Sequence, residues 1–139
     1  MSWDQIRALS RAGMDVESHT RWHRVLQTLD DNELQAELTG SRQDLETQLG
    51  RPVRAVAYPV GRRVAHVDRI RKAVVAAGYK IGVSNASGAT RIWPAPVAGM
   101  IPTDRFDICR LSTDRTMSDA MYFTQIAVPR LAYYGRHDL

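Results

Sequence analysis

Residues 16–26 read VESHTRWHRVL, and the fold turns on how this stretch is taken. His19 and His23 stand four residues apart, directly after the short run MDVESH, residues 14–19. Apolar residues alternating with polar ones predict a strand there, so His19 falls at its carboxyl end. Histidines at i and i+4 suit one divalent ion when the segment is helical or tightly turned. The spacing alone is a weak motif, and two surface histidines are the plain alternative. Position sharpens it, because α/β enzymes place their sites at the carboxyl ends of parallel strands.

On either side of the histidines the chain divides into short periodic segments. SWDQIRALSRAG (2–13) predicts an opening helix capped by Ser2, with Trp3, Ile6 and Leu9 on one face and Gly13 as its end. TLDDNELQAELTGSRQDLETQLG (28–50) predicts the longest helix. Thr28 is its expected N-cap with Asp31 three residues on. Leu34, Leu38, Leu45 and Leu49 form its stripe, Gly50 stops it, and Gly40 costs it some stability. The pair Asp30–Asp31 falls at its N-terminus, where acidic residues favour the helix dipole.

A strand over Val53–Ala57 then runs into the turn YPVG, Tyr58–Gly61. AHVDRIRKAVVAAGY (65–79) predicts a helix with Val67, Ile70, Val74 and Ala77 inward and Gly78 as its stop. KIGVSN (80–85) reads as a strand and Ala86–Thr103 as a loop. FDICRLST (106–113) is a strand, TMSDAMYFTQIA (116–127) a helix capped by Thr116 or Ser118, and PRLAYYGRHDL an irregular end. Strands alternating with helices imply parallel strands joined by right-handed crossovers. About four strands are visible, fewer than a closed barrel needs, so an α/β fold is expected, either a small open sheet or part of a barrel.

At 139 residues the chain is one domain or part of one. No run of about 18 apolar residues occurs, which excludes a membrane-spanning helix. The opening MSWDQIRALS is charged and has no apolar core, so it does not read as a secretory signal. The net charge of +4 is spread over dispersed arginines, with only Lys72 and Lys80 beside them. Without a like-charge block or a nucleic-acid motif, a mildly cationic surface and no nucleic-acid partner are expected. Cys109 is the single cysteine, so no intrachain disulfide forms. In FDICRLS it reads as a buried strand residue rather than a nucleophile.

GMDVESHTRWHRVLQTL (13–29), ELTGSRQDLETQLGRPV (37–53), AVAYPVG (55–61) and VVAAGYKIGVS (74–84) together resemble the polysaccharide deacetylase family, the NodB-homology carbohydrate esterases. The likeness is clear over residues 2–84 and weak over 85–139, so one partial deacetylase domain over 1–139 is expected. The Tyr-Pro turn points to the branch acting on poly-N-acetylglucosamine-like or other exopolysaccharides.

The resemblance implies a distorted (β/α) barrel, here partial, and a metal-dependent N-deacetylase acting on N-acetylated polysaccharides or oligosaccharides. It implies a divalent metal, zinc above all, held by His19 and His23 together with one aspartate, while a second aspartate acts as base. Such a metal polarises the acetyl carbonyl and activates water; a carboxylate takes the proton. The backbone amide of Val60 matches the oxyanion donor, since Pro59 has no N–H. Pro59 and Gly61 match the turn that lines the substrate groove. Tyr58 either lines that groove or packs. Trp22 either covers the site and stacks on sugar, or packs.

The family's Thr-Phe-Asp-Asp-Gly-like strand end has no match before His19. Only eighteen residues precede it, none of them an Asp-Asp pair. Glu17 shares a strand face with His19 and is a candidate substitute ligand. Ala57 replaces the arginine many members carry before the turn, and Val60 replaces the turn tyrosine. His66 and His137 are expected to be surface residues. The chain is therefore expected to be incomplete as an enzyme, with an open sheet edge available for pairing into a homo-oligomer. A non-catalytic carbohydrate-binding remnant of the same fold is the alternative. The resemblance points to the cell envelope as location, without an export signal in these residues.

Overall fold

The structure, a computed structural model, describes residues 1–60, 64–88, 90, 104–111, 113 and 115–127. Gly61, residues 91–103 of the expected Ala86–Thr103 loop, and the terminal stretch with His137 lie outside the described residues.

Among the described residues, four helices and three strands follow one another as α1 (Trp3–Arg11), α2 (Asp31–Leu49), β1 (Ala55–Ala57), α3 (Asp68–Ala76), β2 (Ile81–Ser87), β3 (Ile108–Arg110) and α4 (Asp119–Ala127). The strands form one parallel sheet in the order β1-β2-β3, with Ala55 opposite Ile81 and Val83 opposite Ile108. The expected MDVESH strand survives as one parallel bridge, Ser18 to Val56. It extends the sheet on the β1 side, so α2 and α3 each serve as a crossover between parallel neighbours. This is the expected α/β architecture of a partial barrel.

The core lies between the sheet and helices α2 and α3. Leu34, Leu38, Val53, Val56, Ile70 and Val74 are all wholly buried, the residue types that drive burial. Leu45 and Leu49 complete the predicted stripe as partly buried neighbours. Tyr79 enters the same core and donates its hydroxyl to Leu38 O at 2.9 Å.

Several boundaries differ from the expectation. α2 begins two residues later than predicted: Asp30, not Thr28, is its N-cap. The Asp30 carboxylate accepts the Glu33 amide at 2.8 Å, and the Glu33 carboxylate accepts the Asp30 amide at 3.1 Å. A carboxylate makes that reciprocal box as well as a hydroxyl does. Thr28 instead closes a short 3-10 turn, Leu26–Thr28, by donating to Val25 O. Val67, expected inward, is 39% exposed because it precedes α3 as its cap. Ser118, rather than Thr116, caps α4 through its hydroxyl and carbonyl. Cys109 lies in β3 as expected but is only half-buried.

Candidate metal site at the strand ends

Two strand ends meet at the candidate site. The Ser18 amide donates to Ala55 O at 3.2 Å, and the Ala57 amide donates to Ser18 O at 2.9 Å. That register brings His19 beside the last residue of β1, where its Nδ1–H donates to the Ala57 carbonyl at 2.8 Å. The neutral ring then keeps its lone pair on Nε2, the arrangement by which proteins orient metal-binding imidazoles. The His23 ring lies against it, with centroids 4.8 Å apart and planes at 71°. Both histidines are exposed.

The i, i+4 spacing is realised by a turn, not a helix. Thr20 and His23 adopt left-handed φ values of 65° and 57°, a region non-glycine residues seldom enter. Side chains below the turn hold it there. Ser18 Oγ accepts the Thr20 amide at 3.1 Å and shares a 2.8 Å hydrogen bond with Ser41 Oγ of α2. Glu37 Oε2, also on α2, accepts the amides of Arg21 at 2.8 Å and Trp22 at 2.9 Å. A cavity of about 500 Å³ opens beside His19, with Trp3, Ile6, Glu17 and Arg21 in its wall.

Trp22 is 59% exposed. The Arg21 guanidinium lies 4.6 Å over its ring and pairs with Asp44 at 2.9 Å. Val60 is exposed, has φ of 33°, and its amide has no hydrogen-bond partner among the described residues.

Tyr58 resolves toward packing. Its side chain is buried, its hydroxyl donates to Phe106 O at 2.9 Å, and burial pushes its pKa well up. Pro59 is likewise wholly buried, so neither residue lines an open groove. Both follow β1 directly, and the chain is still inside the protein at that point.

Glu17 does not act as the substitute ligand. Its Oε2 accepts the amides of Arg54 and Ala55 at 2.8 and 2.7 Å, and Arg51 lies 3.6 Å from its other oxygen. Asp30 and Asp31 are occupied at the start of α2, as expected. His66 is on the surface, paired with Asp107 at 2.9 Å. Among the described residues no group of three or more His, Cys, Asp or Glu side chains could hold a metal ion. Among the described residues the donor set is thus two imidazoles, one short of the three protein ligands usual at a catalytic zinc.

Glu37 escaped the sequence reading, although a signal was present. It falls on the inward face of α2 with Leu34, Leu38 and Ser41, all four buried. A carboxylate on an apolar stripe needs a specific partner.

Comparisons with known proteins bear on this arrangement. The family model described as polysaccharide deacetylase matches residues 1–82. YxkH of Bacillus subtilis (strain 168), named for the same family, is 29% identical over 86 residues, covering 62% of this chain and 30% of its own. A Streptococcus pyogenes deacetylase, PplD, solved in complex with acetate, superposes with a TM-score of 0.72 at 22% identity, over 89% of this chain and 50% of that one. A polysaccharide deacetylase from Bacillus cereus gives 0.73 at 23% identity, over 91% of this chain and 36% of that one. The chain thus spans about a third of the curated relative and half or less of these structures. With the family model matching more than half of the sequence, and the fold agreeing, the chain belongs to the polysaccharide deacetylase family.

Proposed function

We propose that this chain carries the two-histidine part of a divalent-metal site, with zinc the expected ion, for removing acetyl groups from N-acetylated polysaccharides or oligosaccharides. The observation that carries the reading is the His19–His23 pair, rings 4.8 Å apart, with His19 oriented through Nδ1 by Ala57 O. A divalent ion there supplies Lewis acidity for amide hydrolysis. His19 and His23 would hold it, His19 through Nε2. The Val60 amide is unpartnered among the described residues and suits an oxyanion donor. Trp22 offers an exposed aromatic face to a sugar ring. Acetate, which the Streptococcus pyogenes deacetylase holds, is the acyl product this reaction would release.

The reading requires a carboxylate ligand and a base from outside the described residues, because Glu17 is tied to the Arg54 and Ala55 amides. That same observation favours a second reading, a carbohydrate-binding remnant without the chemistry. Family likeness makes the cell envelope the proposed place of action.

Zinc binding by calorimetry on the chain, on His19→Ala and on His23→Ala tests the proposal, beside acetate release from N-acetylated glucosamine oligomers. Zinc binding lost in both variants, with far-UV circular dichroism unchanged, is the expected result. Equal binding by all three proteins overturns it. Oligosaccharide binding that ignores zinc and chelator, with no acetate released, selects the remnant.

A further inference from the structure

We infer that Glu37 is a positioning residue for the metal site, acting through the backbone of the turn between the two histidines. The inference rests on the reading of His19 and His23 as metal ligands. Glu37 is 0% exposed, yet it stands on the apolar stripe of α2 between Leu34 and Leu38. Its Oε2 is spent on two successive amides, those of Arg21 and Trp22. Its Oε1 is buried with no hydrogen-bond partner among the described residues. An aliphatic residue would suit that stripe better, because a buried carboxylate with one oxygen unpaired opposes folding. Such a placement calls for a specific reason.

The turn supplies that reason. The amides of Thr20, Arg21 and Trp22 are all taken by side chains, and two of the three by this one oxygen. Without it, nothing among the described contacts satisfies the Arg21 and Trp22 amides, and Ser18 Oγ on the Thr20 amide is the turn's remaining side-chain support. His19 is fixed independently by Ala57 O. His23 depends on the turn, so Glu37 governs the distance and angle between the two rings. The carboxylate touches neither ring, and its part is to set geometry that a metal then finds ready.

The full chain is compared as wild type, Glu37→Gln, Glu37→Leu and Glu37→Asp. Glutamine keeps an acceptor oxygen at the same reach; leucine removes it; aspartate keeps the charge but withdraws it by one methylene. Zinc titration is expected to give a near wild-type affinity for Glu37→Gln and at least about a tenfold loss for Glu37→Leu, the range seen when an outer-shell partner of a metal ligand is removed. A purely structural role would lower thermal stability and leave zinc affinity in the folded protein unchanged, and that result overturns the inference. Equal losses in Gln and Leu overturn it too.

Should Glu37→Leu fail to fold, Glu37→Asp decides: weakened zinc binding supports the inference and wild-type binding overturns it. Amide exchange at Arg21 and Trp22 in the metal-free proteins separates this inference from the metal reading. If the wild type does not bind zinc through its histidines, the metal reading falls. Protection kept in Gln and lost in Leu or Asp still upholds Glu37 as the residue that orders the turn, and unchanged protection rejects it.

Discussion

His19 Nδ1 stands 2.8 Å from the carbonyl oxygen of Ala57, a hydrogen bond between the residue just past one strand end and the last residue of β1. Only a ring nitrogen bearing a proton can make it, so the neutral imidazole is fixed with Nδ1 protonated and Nε2 bare. Two-bond ¹H–¹⁵N spectra of the metal-free chain at mildly alkaline pH should show that tautomer for His19. Added zinc should then move the Nε2 resonance and leave the Nδ1 proton in place. An Nε2–H tautomer would contradict both the orientation and the proposed ligand atom.

Tyr58 and Gly82 form a second relationship that a variant can probe. The tyrosine hydroxyl crosses β2 over Gly82 to reach Phe106 O, and a Cβ added at Gly82 would stand 2.0 Å from that hydroxyl oxygen and 2.7 Å from the carbonyl. Gly82→Ala is expected to cost about 3 kcal/mol, the upper end for overpacking a filled core. Tyr58→Phe should cost about 1 kcal/mol through the lost hydrogen bond. In Tyr58→Phe, Gly82→Ala should cost less than in the wild type, since part of the clash is gone. Urea unfolding of the two single variants and the double variant measures all three. Strictly additive effects would mean that the two residues do not meet.

The sequence made the order of elements legible because each carries its own period: Leu34, Leu38, Leu45 and Leu49 mark a helix face, and Ala55–Ala57 a buried strand. Parallel strands joined by one helix put the end of the MDVESH segment next to the end of β1, but the hydrogen bond from His19 to Ala57 O, 38 residues away, has no signal in the sequence. Local competition was harder to read. Asp30 outranked Thr28 as a cap because Glu33 could answer it, and one sequence offers both choices. Tyr58 could not be oriented because its partner, Phe106 O, lies 48 residues away on the far side of β2. Glu17 illustrates the same limit. Alternation put it on one face with His19, but the amides of Arg54 and Ala55 claimed its carboxylate through contacts 37 and 38 residues distant. Glu37 shares the inward face of α2 with Leu34 and Leu38, but its partners are the amides of Arg21 and Trp22, 16 and 15 residues away in a turn that no periodicity marks.

The ion pair between Arg71 and Asp104 makes an acid-stability prediction with a definite sign. Two guanidinium nitrogens reach the two carboxylate oxygens at 2.5 and 2.8 Å, and the Phe106 amide adds a third hydrogen bond at 2.9 Å. The Arg71 hydrogen bond, opposed in part by burial, holds the Asp104 carboxyl below its ordinary value of 3.8. A carboxyl whose folded pKa is depressed binds its proton more readily in the unfolded chain. Its contribution is therefore fully present above the unfolded value and fades as pH falls through the folded one. Both side chains are about a third exposed (37% and 33%), and solvent screening keeps the contribution below about 1 kcal/mol. Arg71→Met keeps much of the apolar stem and removes the guanidinium, which also lies 5.4 Å over the Phe106 ring. Denaturant unfolding between pH 3 and pH 6 (roughly the window either side of the unfolded carboxyl value) should show a shallower loss of stability in acid for Arg71→Met than for the wild type. At neutral pH the variant should be less stable, and the gap should narrow as the pH falls. An acid limb of unchanged slope would mean that Asp104 titrates alike in both proteins and that the pair adds nothing specific to the folded state.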